Sequence, residues 1–255
     1  MTITFLGTGT SQGIPVIGCD CEVCRSVNPK DKRLRCAAYI RTDDTAMLID
    51  GGPDIRYQLL REGIRKLQAV LLTHEHYDHT GGLDDLRPLI FLQNEPIPVY
   101  AQEDVLKKVL VKYDYAFGSG YYPGAPKFNL IEVNAQIPFE IGKLTVKPLR
   151  VFHGDLGILG YKFDERLVYI TDANELPSET LADCKGIPCL IINALHHRPH
   201  HSHFTLEQTL QTIEAIDPAS AYIIHMSHHM GLHDSLEASL PPKVHFAFDQ
   251  LNLAL

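Results

Sequence analysis

Apolar residues in this chain fall into short runs separated by turn-forming clusters, the pattern of strands with helices between them. Residues 3–6 alternate weakly and stop at Gly7, which predicts a first strand feeding the glycine-rich turn GTGTSQG at 7–13. That turn lacks the spacing and the lysine of a phosphate-binding loop, and no helical pattern follows it. Residues 37–42 and 45–50 read as paired strands joined at Asp43-Asp44. Asp54 is placed to cap a helix reaching about Gly63, with Ile55, Leu59 and Leu60 on one face. The run LQAVLLT (67–73) is almost wholly apolar, as expected of a strand covered on both faces, and it ends directly on HEHYDH. Residues 103–112 have helical spacing. The next stretch, KYDYAFGSGYYPGAPK (112–127), has no usable period and predicts a long surface loop, either a plain connection or a cover over a site. Strands are expected near 144–151, 157–163, 166–171, 189–193 and 221–225, with a helix from about Thr205 to Ile216 between the last two. With strands in both halves and no Pro/Ser/Gly linker, the expectation is an α/β protein with two sheets, one domain over residues 1–255.

Composition adds exclusions. A chain of 255 residues with 45% hydrophobic and 21% charged residues can bury a sizeable core. Its 23 basic and 31 acidic residues, net −8, argue against a broad nucleic-acid-binding face. They leave room for a small phosphate-bearing substrate, because a bound metal can supply local positive charge. No run nears the ~18 apolar residues of a membrane span. MTITFLGTGT has no basic segment ahead of an apolar one, so a cytoplasmic protein without membrane contact is expected. The sequence does not fix the oligomeric state, and a homodimer is one possibility.

The chemistry concentrates in two clusters. In THEHYDHTGG (73–82), three imidazoles and a carboxylate fall within six residues at the exit of an apolar run. If strand geometry persists, His74 and His76 project to one side, and Asp78 and His79 lie beyond, where Gly81-Gly82 allows a turn. Such a ligand set predicts metal binding. A helical HExxH zinc site is excluded by the spacing, and Glu75 has no ligand role. The second cluster is Cys19, Cys21 and Cys24, too tightly spaced to pair among themselves. They need a fourth ligand to close a tetrahedral site, from Cys36, Cys184, Cys189 or a histidine.

HEHYDH matches the HxHxDH signature, and on it the chain resembles the metallo-β-lactamase superfamily, an αβ/βα sandwich built around one or two metals. The resemblance covers essentially the whole chain. It implies that His153 in RVFHGD, Asp172 in YITDAN and His225 in AYIIHMSHH complete the set at the ends of later strands. One catalytic divalent metal, zinc or manganese, would then take His74, His76 and His153. The other would take Asp78, His79 and His225, with Asp172 bridging. The CxCxxC after the first glycine turn resembles the PhnP-type phosphodiesterase branch, which is similar to ribonuclease Z. In that branch a structural zinc is completed by a histidine three residues past the last active-site histidine, which implies His228 here, with His229 and His233 as neighbouring alternatives. Cys36, Cys184 and Cys189 are then small core residues or free thiols. The same resemblance implies that His203, just before FTLEQ, faces the scissile phosphate and protonates the leaving oxygen, while Asp78 also orients the nucleophile. His196, His197, His200 and His201 receive no role, and nothing in the spacing demands that Arg198 meet a phosphate.

The expected activity is therefore hydrolysis of a small or cyclic phosphodiester, such as a ribosyl cyclic phosphate, by a hydroxide held between two metals. Other readings are tRNA 3′-end processing, thioester or lactone hydrolysis, and a non-hydrolytic role in cofactor biosynthesis. The first is opposed by the missing tRNA-gripping arm and the negative charge, the second by His203. The third is opposed by the intact metal signature, from which pyrroloquinoline quinone proteins with the same CxCxxC typically depart.

Overall fold

A computed structural model describes residues 1–117 and 124–255. Its strands run in chain order as β1 (Thr2–Gly7), β2 (Ala37–Arg41), β3 (Ala46–Ile49), β4 (Ala69–Leu71), β5 (Ile97–Ala101), β6 (Phe128–Glu132) and β7 (Phe139–Ile141). They continue as β8 (Leu144–His153), β9 (Leu156–Phe163), β10 (Leu167–Tyr169), β11 (Cys189–Asn193), β12 (Ser220–Ile224), β13 (Val244–Phe246) and β14 (Asn252–Ala254). Two seven-stranded sheets result, ordered β14-β1-β2-β3-β4-β5-β6 and β13-β12-β11-β10-β9-β8-β7. Each is antiparallel in one half and parallel in the other, the parallel pairs being β3 to β6 in the first sheet and β10 to β13 in the second.

The sheets pack face to face with helices outside, as the αβ/βα sandwich requires. Ile3, Ile40, Met47 and Leu71 from one sheet meet Val146, Tyr161, Tyr169 and Ile191 from the other in the central layer. Outward residues of the first sheet, Leu48, Val70, Leu72 and Val99, pack on helix residues Ile55, Leu59, Ile90 and Val105. The second sheet buries Val168, Leu190 and Ile223 beneath Leu206, Ile213 and Ile216. This explains the near-solid apolar run at 67–73: Ala69 and Leu71 face the other sheet while Val70 and Leu72 face helices. No helix among the described residues is long and apolar enough to cross a membrane.

Several expectations need correction. The strand ends at Leu71 and not near 73, because the Asp50 carboxylate captures Thr73 N at 2.8 Å and turns the chain away from the sheet. Asp54 begins the helix Ile55–Arg61 without capping it; its carboxylate is taken by Arg35 N and Nη1, both at 2.9 Å. Gly81 and Gly82 keep negative φ values of −72° and −110°, so their purpose is room and not a left-handed turn. A Cβ on Gly82 would sit 2.1 Å from Gly52 O, and one on Gly52 would sit 1.8 Å from Asp78 O. The segment 112–127 is not all loop: the helix Glu103–Lys112 is followed by a 3-10 turn at Asp114–Ala116, and Tyr113 Oη donates to Thr80 O at 2.7 Å. The rest of that expected cover includes 118–123, which lie outside the described residues.

Candidate metal centre and its surroundings

Parallel strands end on the same edge of each sheet, and the candidate residues sit just past those ends, where α/β proteins bind ligands. β4 is followed by His74 and His76, then by the short helix Tyr77–Thr80, which carries Asp78 and His79. β8 ends on His153, β10 leads to Asp172 and β12 to His225. Asp50, Asp172 and His225 all adopt positive φ, at 60°, 59° and 59°. Left-handed backbone in non-glycine residues costs roughly 1–3 kcal/mol each and persists only where surroundings enforce it. One enforcing group is visible at Asp172, where Asn193 clamps the following residue through Ala173 N at 2.7 Å and Ala173 O at 2.9 Å.

Two donor clusters form there, each with ligand atoms within 4.8 Å of one another, His74, His76 and His153, and Asp78, His79, Asp172 and His225; a third group, His153, Asp172 and His203, meets the same limit and shares a residue with each. In the first, His74 Nε2 lies 3.0 Å from His76 Nδ1. Thr73 Oγ1 spends its hydrogen on Asp50 at 2.9 Å, so it accepts from His74 Nδ1 and leaves His74 Nε2 with a free lone pair. His153 Nδ1 donates to Ser202 O at 2.8 Å with the same result. In the second cluster, three imidazole Nε2 atoms converge on Asp172, from His225 at 3.1 Å, His203 at 3.2 Å and His79 at 3.4 Å. His79 Nδ1 is held by Asp50 Oδ2 at 2.7 Å. Asp50 was not expected from the sequence; the signal available was an aspartate at the end of an apolar strand, followed by Gly51-Gly52.

The electrostatics suit a cation. Burial alone would lower His79, but Asp172, Asp50 and Asp78 hold its imidazolium well above the ordinary histidine range. Burial opposes ionisation of Asp172, yet His225 and His79 hold it well below the carboxylate range, and His79 does the same for Asp78 against its own burial. Burial pushes His74 well down, which keeps it neutral as a ligand must be. Among the described residues, His79 Nε2 and both ring nitrogens of His225 are buried with no partner in hydrogen-bond geometry, the approaches to Asp172 being ion-pair contacts. Carboxylates dense enough to hold a proton on His79 would equally favour a divalent cation, so this donor set fits one. A cavity of about 510 Å³ opens on His76 and His153, walled by Asp155, Asn174, Glu175, His201 and Ser202. A larger groove of about 950 Å³ beside the helix Leu206–Ile216 has mostly apolar walls and none of these donors.

The cysteines form a separate cluster. Cys19 and Cys21 Sγ each lie 3.3 Å from His228 Nδ1, and Cys24 Sγ lies 3.5 Å away. The Cys24 backbone N–H lowers the Cys21 thiol to about 6, whereas burial raises Cys24 to about 11. The other candidates for the fourth position are engaged elsewhere. Cys36 and Cys189 are in the central core and Cys184 is under the outer helices. His233 bonds Arg33 Nη2 and Asp31, and His229 packs against His228 with ring centroids 4.0 Å apart and planes tilted by 41°.

A family model described as the beta-lactamase superfamily domain matches residues 45–226, so the chain belongs to the metallo-β-lactamase superfamily. A solved diphosphatase from the PhnP family is 35% identical and superposes with a TM-score of 0.92, covering 100% of this chain and 97% of that one. Within the superfamily, the chain is a member of the PhnP family. It is also 44% identical over 253 residues to an octanoyltransferase of Porphyromonas gingivalis, covering 98% of this chain but 51% of the relative, so it spans about half of that protein's length. Zn²⁺-bound PqqB from Methylobacterium extorquens, 20% identical with a TM-score of 0.81 over 100% of both chains, shares the fold.

Proposed function

We propose that this protein is a dinuclear, divalent-metal-dependent phosphodiesterase acting on a small or cyclic phosphodiester. His74, His76 and His153 would hold one ion and Asp78, His79 and His225 a second, with Asp172 shared; zinc and manganese both suit such a set. Cys19, Cys21, Cys24 and His228 match a structural zinc site. When bound, the catalytic ions supply positive charge for the phosphoryl oxygens and acidify water.

The observation that carries the reading is His203. Its Nε2 points into the donor cluster, 3.2 Å from Asp172 Oδ1, and its ring lies between those of His153 and His225, with centroids at 4.6 and 5.0 Å. A phosphoryl group lodged in the cluster would thus meet an imidazole able to give its proton to the departing oxygen. Burial lowers His203 to about 4, and an anionic phosphate against Nε2 opposes that by favouring the imidazolium. Asp78 carries its charge at the same cluster, 3.2 Å from His79 Nε2, where it would orient the nucleophile. The PhnP-family diphosphatase supports phosphorus chemistry.

A second reading, hydrolysis of an acyl thioester, is favoured by the octanoyltransferase relative. Zinc- or manganese-loaded protein assayed on bis(p-nitrophenyl) phosphate, a panel of cyclic phosphates, an octanoyl thioester and a lactone separates the two. The diester or cyclic phosphate is expected to turn over, and His203→Ala to lose roughly 100-fold on the cyclic phosphates, whose leaving alkoxide needs a proton. Cleavage of the thioester with no diester cleaved refutes the first reading.

A further inference from the structure

His203 is gripped from behind. Its Nδ1 lies 3.1 Å from His200 Nδ1, on the side opposite the Nε2 that faces Asp172. Two ring nitrogens in contact share one hydrogen, so one must donate and the other accept. The backbone decides which: Ser202 N–H donates to His200 Nδ1 at 3.4 Å, so His200 Nδ1 carries the lone pair. The shared hydrogen therefore belongs to His203 Nδ1. Among the described residues Ser202 Oγ competes at both nitrogens, 3.1 Å from His203 Nδ1 and 3.4 Å from His200 Nδ1. His200 is partly exposed, and its ring lies 4.9 Å from that of His203.

We propose that His200 is a positioning residue that fixes the tautomer and orientation of His203 by accepting its Nδ1 hydrogen. The arrangement places an imidazole where a carboxylate stands behind the histidine of a serine-hydrolase triad. This inference rests on the phosphodiesterase reading. In the step it serves, a hydroxide ion forms a new P–O bond as the P–O bond to the leaving group breaks with its electron pair going to the leaving oxygen, which takes the Nε2 proton of the His203 imidazolium. His203 is left neutral, its Nδ1 hydrogen still donated to His200.

Such a role has a signature that structural damage lacks. An alkoxide leaving group needs the proton, whereas p-nitrophenolate departs with little help. Metal-loaded wild type, His200→Ala, His200→Asn and Ser202→Ala would be assayed on bis(p-nitrophenyl) phosphate and on a ribose cyclic phosphate, which opens only by expelling an alkoxide, alongside metal content. His200→Ala is expected to lose about tenfold in ring opening of the cyclic phosphate but less than about twofold with the p-nitrophenyl group leaving. His200→Asn, whose amide oxygen can accept the same hydrogen, is expected to recover most of the lost rate. Equal losses for both leaving groups, an asparagine no better than alanine, or a leaving-group-dependent loss in Ser202→Ala in place of His200→Ala would each overturn the proposal. A wild type that cleaves neither diester removes the phosphodiesterase reading and the proposal together; an active wild type with equal losses removes the proposal alone.

Discussion

Asp50 carries more of the centre than its place in the sequence suggests. It is fully buried, where desolvation raises its pKa, and His79 with Thr73 oppose that rise. Its two oxygens fix Thr73 and the Nδ1 side of His79, and through Thr73 they reach His74. One carboxylate therefore orients a candidate ligand from each donor cluster. Asp50→Asn keeps the shape but offers His79 Nδ1 no charged acceptor, and metal affinity is expected to fall about 10- to 100-fold. Titration of metal-stripped protein with Zn²⁺ or Mn²⁺ tests this, and unchanged affinity would show that Asp50 does not orient the ligands. Gly52 makes a steric demand at the same place. The Cβ of Gly52→Ala would lie 1.8 Å from Asp78 O, so this variant is expected to lose about 3 kcal/mol of stability in denaturant unfolding. An alanine tolerated at little cost would show that the contact relaxes freely.

At the level of elements, what was legible follows burial. The strands delivering the site are covered on both faces and read as apolar runs, which is why 67–73, 189–193 and 221–225 stood out. β5 was missed because Pro98 interrupts IPVYA, and β7, β13 and β14 are three residues long, too short to show a period. The helix Arg87–Gln93 was missed too, with Pro88 in its first turn. In the site, the spacing of HxHxDH and CxCxxC marked two clusters, and the family resemblance implied His153, Asp172, His203, His225 and His228; Asp50 touches a histidine 29 residues away in sequence and His200 is crowded among other histidines, so neither left a pattern. The helix Leu206–Ile216 was legible because it starts properly: Thr205 caps it, bonding Gln208 N at 3.2 Å while Gln208 Oε1 accepts from Thr205 N at 2.9 Å. That cap stands two residues from His203. Thr205→Ala is expected to cost about 1 kcal/mol in unfolding. It should also lower turnover with little change in metal content; a stability loss with turnover untouched would separate the cap from the positioning of His203.

Across the whole molecule, the cysteine cluster ties distant parts of the chain together. Cys24 and His228 are 204 residues apart in sequence, and His228 follows three residues after His225. The tie is reinforced by backbone pairing of the first glycine turn with Met226, through Thr10 N to Met226 O at 3.1 Å and Met226 N to Thr8 O at 3.2 Å. A zinc ion here would cross-link a loop whose closure removes about 4–5 kcal/mol of unfolded-chain freedom. It would also draw Cys24 into the thiolate form that burial resists. In a protein of this size each kcal/mol moves the melting temperature by about 2–4 °C, so His228→Ala should melt roughly 10 °C lower and carry one zinc fewer per chain. Chelation should act in stages: a mild chelator strips the ions beside the open cavity and abolishes activity with a small change in melting temperature. Removing the last zinc requires a stronger chelator and brings the large drop. The two effects should be linked in the variant, because loosening residue 228 frees the segment that holds His225 in its left-handed turn. Metal analysis and calorimetry on the same samples decide the matter: a His228→Ala protein with unchanged zinc content and melting temperature would mean that this cluster fastens nothing.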